Sequence, residues 1–183
     1  MSSLTKALIT ALSICKTGAS MDTKTLQALD LTGLKVLIAK ALSVNESLVR
    51  DSYSKTLNDK AAFLTLHLLT STQKGREYKF FKGEKEVITS TREAIVSVNA
   101  YGNNANFIIE KLNSLFYASE FLKELKILGL GLVTVSPIRN LSLVVGGGVE
   151  ERASIDLTLS YINRVEVSQN EIKTANFGIK ANR

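Results

Sequence analysis

The stretch Arg152-Ala153-Ser154-Ile155-Asp156-Leu157-Thr158-Leu159-Ser160-Tyr161 decides the fold. Ala153, Ile155, Leu157, Leu159 and Tyr161 alternate with Ser154, Asp156, Thr158 and Ser160. Successive side chains of a strand point to opposite faces, so this segment is a strand with one apolar and one polar face. Arg152 and Asp156 lie an even number of residues apart and share the polar face. The carboxylate is expected beside a cation, with Arg139 and Arg152 as the candidates.

Working upstream, Leu132 to Val135 reads as a short strand stopped by Pro137, and Gly146-Gly147-Gly148 as a flexible loop. Phe107, Ile108, Leu112, Leu115, Phe116, Leu122 and Leu125 repeat at helical spacing. They predict one long helix, or two with a bend near Ser119, capped by Asn103 or Asn104 and ended by Gly129 and Gly131. Glu93 to Tyr101 alternates as a strand up to Gly102. Arg76 to Phe81 and Glu84 to Thr91 flank Lys82-Gly83, a plausible hairpin turn. Ala61 to Thr70 reads as a strand with at least one buried face: Phe63, Thr65, His67 and Leu69 against Leu64, Leu66 and Leu68. Val49, Asp51 and Tyr53 suggest an entry strand. Thr32 is a candidate cap for a helix with Leu34, Leu37, Ile38, Ala41 and Leu42 on its apolar face. Ser3 to Lys16 carries Leu4, Leu8, Ala11, Leu12 and Cys15 at helical spacing, and a last weak strand lies between Glu171 and Ile179. Strands on both sides of a central helical region argue for an α+β single domain, a mostly antiparallel sheet with helices packed on it.

The 183 residues carry a formal net charge of +6, with 45% hydrophobic and 22% charged residues. That is ordinary globular usage with a basic bias. Lys and Arg are interleaved with Glu and Asp rather than run together. Cys15 is the single cysteine, which excludes an intrachain disulfide and fits a cytoplasmic setting. No stretch approaches the ~20 apolar residues of a membrane span.

The chemistry-bearing residues are sparse. His67 is the single histidine and sits mid-strand among leucines, where a packing role fits better than a Ser-His-Asp or Cys-His mechanism. Gly129-Leu130-Gly131 follows a helix and lacks a third glycine, so it is no dinucleotide fingerprint. Gly146-Gly147-Gly148 is not followed by Lys-Ser or Lys-Thr, so it is no phosphate loop. Glu150 and Glu151 are adjacent and tend to point apart, a poor acid/base couple. No metal, cofactor or catalytic set is expected, and the reading is of a non-enzymatic protein.

Four segments carry a family resemblance. They are Ala62-Phe63-Leu64-Thr65-Leu66; Ala94 to Gly102 with Asn103-Asn104-Ala105 opening a helix; Pro137-Ile138-Arg139-Asn140-Leu141-Ser142; and Arg152 to Tyr161. In this order and spacing, over roughly Leu26 to Ile179, the chain resembles the phage tail or neck terminator family. The first two dozen residues depart from the pattern. The chain is therefore divided into an N-terminal helical extension, 1–24, and a terminator-like α+β domain, 25–183. The resemblance implies a structural virion protein, assembled in the host cytoplasm, that forms a ring, usually a hexamer, on the last ring of the tail tube. Its implied partners are other copies of itself, the tail tube protein, a head-side connector or completion protein and a tail sheath. Genomic DNA would pass through the lumen without specific binding.

A head-to-tail ring uses two different surfaces of each subunit. The charged hairpin Lys74 to Thr91 offers Arg76, Lys79, Phe80, Phe81, Lys82 and Glu84. The glycine loop Leu143 to Glu151 and its surroundings offer Arg139, Glu150, Arg152 and Asp156. With few apolar residues to fasten it, the hairpin reads as two isolated strands, a loosely ordered element in a free subunit. The alternative function is a basic, non-enzymatic nucleic-acid-binding module, for which Lys79-Phe80-Phe81-Lys82 is the sole interleaving of basic and stacking residues.

Overall fold

The computed structural model describes residues 22–52, 62–145 and 148–168. The expected N-terminal helix, Tyr53 of the entry strand, the middle of the glycine loop and the last weak strand lie outside them.

The alternation around Ile155 produces β9, Arg152–Ser168, which reaches well past Tyr161. β9 pairs antiparallel with β4, Lys85–Tyr101, along the full length of both. β4 in turn pairs with β3, Phe63–Lys82. The four strand segments expected between Ala61 and Tyr101 are thus two long strands joined by a tight turn. Alternation weakens at Thr70–Arg76 because the register slips there, between Leu68 and Thr70 and between Lys74 and Tyr78. Such bulges break the period without ending the strand. The turn is Gly83-Glu84, with Lys82 opposite Lys85. Gly83 sits at φ +65, a conformation that side chains with a Cβ resist.

The other edge of β9 is covered in succession by β6 (Arg139–Asn140), β5 (Leu130–Val135) and β1 (Thr23–Gln27). β1 straddles the expected 24/25 boundary. The sheet curls into a half-barrel. It is α+β as expected, but mixed: β2, Val49–Asp51, lies parallel to β3 at Leu64–Leu66. Parallel neighbours need a crossover rather than a tight turn.

Among the described residues, three α-helices cover one face of the sheet. α1, Leu31–Leu42, is capped by Asp30, whose carboxylate accepts from Gly33 N at 2.9 Å. Thr32 is inside the first turn instead. Asp30 caps better because its acceptor sits one residue outside the helix, within reach of the free amides. α2 (Ala105–Phe116) and α3 (Ser119–Ile127) are the two-helix form of the expected helical region. Asn104 starts α2 without a side-chain cap bond; its own amide donates to Glu151 Oε2 at 2.7 Å. Gly129, at φ +73, closes α3, whereas Gly131 lies inside β5. A Cβ on Gly102 would stand 3.0 Å from the Ala62 backbone at φ +90, so the strand-to-helix corner requires glycine.

The core lies between these helices and the odd-numbered face of β9. Leu34, Ile38, Ile109, Leu112, Phe116 and Leu125 meet Ile155, Leu157, Leu159, Val96 and Val98, all fully or almost fully buried. Phe116 and Phe121 pack edge-on with ring centres 5.3 Å apart. At ~1.5–3 kcal/mol per buried large apolar side chain, this cluster supplies most of the folding drive.

Candidate assembly surfaces

The candidate residues separate into two groups at opposite ends of β9, roughly 50 Å apart at ~3.3 Å per strand residue.

The first end is an arm. β3 and β4 run past the helices to the turn at Gly83-Glu84. The expected pair of isolated strands is corrected here. β9 accompanies β4 as far as Lys85 opposite Ser168, and β1 lies along β9 with Thr23 opposite Val167. The hairpin is the outer half of a four-stranded arm. The sequence concealed this because β9 continues beyond its clean alternation. Val87 and Ser90 are buried within the arm. Lys85 is hydrogen-bonded to Glu166 across β4 and β9, and Lys74 pairs with Glu93 at 2.9 Å. The Lys85 ammonium holds the Glu166 carboxyl below the usual glutamate range, and Glu166 holds Lys85 above the usual lysine range.

Arg76, Lys79, Lys82 and Glu84 are exposed on this arm, as are Phe80 and Phe81. Phe80 and Phe81 point to opposite faces. Tyr78, which sequence reasoning passed over, shares the Phe80 face with ring centres 5.8 Å apart. Its spacing of two from Phe80 was the available signal. Basic residues on the arm are interrupted by Glu77, Glu84 and Glu86, and two of the lysines are paired with carboxylates. The described residues therefore offer no continuous basic face here.

Beyond His67 the outer edge of β3 has no strand partner among the described residues. This open edge was not legible in sequence, since openness depends on which strands the sheet places beside it.

The second end surrounds the start of β9. Arg139 Nη2 pairs with Asp156 Oδ2 at 2.8 Å, and its Nε donates to Ser154 Oγ at 3.1 Å. Asp156 thus meets Arg139, whereas Arg152 lies over the Tyr101 ring, 4.9 Å from its centre. Tyr101 stacks on Phe63 at 4.9 Å, and Arg50 caps that ring at 5.4 Å. This stack of two arginines around two rings finishes the end of the sheet; each cation–π contact is worth ~0.5–2 kcal/mol.

Just before β9 stands a separate two-stranded sheet, β7 (Leu143–Val145) with β8 (Gly148–Glu150). Val144 and Val149 face each other across it, 75% and 71% exposed; Leu143 pairs with Glu150, both also exposed, and Val145 pairs with Gly148. Gly148, the last of the three glycines, thus opens β8 of a short hairpin. Short apolar runs on either side of three glycines were the signal for it.

His67 is half-buried on the polar face of β3, opposite Ser97. Among the described residues, no three His, Cys, Asp or Glu side chains gather as a metal site, and no helix is long and apolar enough to cross a membrane. The surface hollows are shallow and mainly apolar, such as one between α1 and α3 lined by Leu37, Ala41, Leu115 and Phe121.

A family model described as "Phage neck terminator protein" matches residues 30–182. No curated protein matches the chain.

Proposed function

The chain belongs to the phage neck terminator family, and from that premise we propose that it is a ring-forming, non-enzymatic subunit that ends the tail tube and joins it to the neck. A structural protein of the phage neck is what the family gives. The proposal adds the ring, six subunits to a turn. It adds stacking on the tail tube protein below and on a head-side connector or completion protein above, with a tail sheath alongside. DNA would cross the lumen without sequence-specific contacts, and assembly would take place in the host cytoplasm. Residues 1–24 would serve as an extension of the terminator domain, their last two residues opening β1.

The observation that carries this reading is the extent of the match, which takes in every described element except β1. The geometry supports it. Two exposed surfaces lie at opposite ends of one strand, as a head-to-tail ring needs. Arg76, Lys79, Phe80, Phe81, Lys82 and Glu84 are proposed for one contact. Glu150 is proposed for the other, with Arg139, Arg152 and Asp156 shaping the end that bears it.

Negative-stain imaging of the purified protein, alone and mixed with tail tubes, tests the reading. Rings, or discs closing one end of the tubes, are the expected result. Particles that never exceed a monomer, in solution or on tubes, would overturn the ring. Salt-dependent binding to duplex or single strands without any ring would favour a nucleic-acid-binding module instead.

A further inference from the structure

We propose that the outer edge of β3 at Tyr78–Lys82 receives the β7–β8 hairpin of a second copy of this chain, so that the sheets of neighbouring subunits run into one another. The proposal rests on the ring reading and names the contact that would build it.

The receiving edge comes first. The outer edge of β3 from Tyr78 to Lys82 has no strand partner among the described residues. An open edge is a template for another strand, which proteins blunt with bulges and charges. The inner part is blunted in that way: both register slips fall between Leu68 and Tyr78, and Lys74 and Arg76 lie there. From Tyr78 to Lys82 the strand is regular again, opposite Thr89, Ile88, Val87, Glu86 and Lys85. Here it exposes aromatic rings rather than hiding them, with Tyr78 and Phe81 both 67% exposed.

The inserted element follows. β7 and β8 bond only to each other among the described residues, with three residues in each strand. Two short strands alone are marginal in water, and exposed valines add to the need for cover. The same chain cannot provide that cover from its own arm, because arm and hairpin stand at opposite ends of β9. A second copy can, and the contact repeats from subunit to subunit, as a head-to-tail assembly requires.

The side chains agree in order. Edge addition continues each face of one sheet into the other. Val144 and Val149 then extend the Tyr78 and Phe80 face. With β7 against β3, Leu143 lies beside Phe81 on the other face, and Glu150, one strand further out, comes within reach of the long Lys79 side chain. That charge pair would fix register more than affinity.

The test uses the full chain, as purified protein and as neck complexes from phage particles, with Cys15→Ser as background. Lys79→Glu and Glu150→Lys should each weaken assembly several-fold, and the double reversal should restore it, with thermal melting of the free subunit unchanged throughout. Phe81→Cys with Leu143→Cys should cross-link into a ladder of covalent multimers, whereas Phe81→Cys with Ile127→Cys, on exposed α3, should not. Assembly indifferent to the reversals, together with no ladder from the 81/143 pair, would overturn this contact and leave the ring standing. Monomers alone, in both preparations and in the parent protein, would overturn the ring and the contact with it.

Discussion

The helix-covered half of the sheet and the bare arm are built from the same three strands, yet they do different work. In β9, Ala153 to Tyr161 is buried at every odd position, whereas Ile162 to Ser168 has no buried residue. In β4, Val96 to Ala100 is continuously buried, while Lys85 to Arg92 buries only Val87 and Ser90. Pairing is unbroken across the junction. What changes is the cover: α1 to α3 pack on one half and nothing described packs on the other. Hydrogen bonds alone add little net stability, so apolar burial anchors the first half. The arm leaves Tyr78, Phe80 and Phe81 exposed among the described residues.

Cutting a core side chain on one half and an arm side chain on the other is the sharpest way to break this contrast. Phe116→Ala should destabilise the free subunit by ~3–5 kcal/mol, since the ring is fully buried. Phe81→Ala should stay within ~0.5 kcal/mol, as for an exposed site, and act on assembly instead. Chemical denaturation of both variants measures the difference; equal losses would dissolve the distinction between the halves.

A smaller effect is expected at the start of β9. Asp156→Asn removes the charge from the pair with Arg139, which is half-exposed while Asp156 is 15% exposed. The pair lies between the surface and buried cases, and a loss of ~1 kcal/mol is expected by thermal melting, together with weaker assembly. If melting temperature and assembly both stayed unchanged, Asp156 would have no architectural role.

The smallest effect belongs to the arm's own fastening. Glu166 is held below the usual glutamate range first by its hydrogen bond from Lys85. A carboxyl with a depressed folded pKa adds stability above its unfolded pKa and loses it as pH falls through the folded value. The contribution is therefore present at neutral pH and is lost as pH falls below the ordinary glutamate range and through the lowered folded value. It is slight, because Lys85 is half-exposed. In a carboxyl NMR titration, Lys85→Met should move Glu166 back toward the ordinary range. A midpoint that does not move would show that the two strands are not fastened there.

Much of the fold could be read along the chain. The alternation from Ala153 to Tyr161, the helical spacing from Phe107 to Leu125 and the break near Ser119 all appear as expected, because side-chain period reports burial directly. Legibility failed where the period failed. The bulges between Leu68 and Tyr78 made one strand look like two, and the thin apolar content past Tyr161 hid the far half of β9. Asp30, not the expected Thr32, caps α1, because cap choice turns on where the first helical amides point.

The sequence by itself determined which residues alternate, which repeat at helical spacing, and that Phe80 and Phe81 oppose each other, since these follow from local backbone geometry. The identity of Asp156's partner, the fourfold depth of the arm, the parallel seat of β2 and the open edge of β3 were decided only in three dimensions. Each depends on which distant strand lies alongside, and strand pairing is a non-local choice that no short stretch of chain contains.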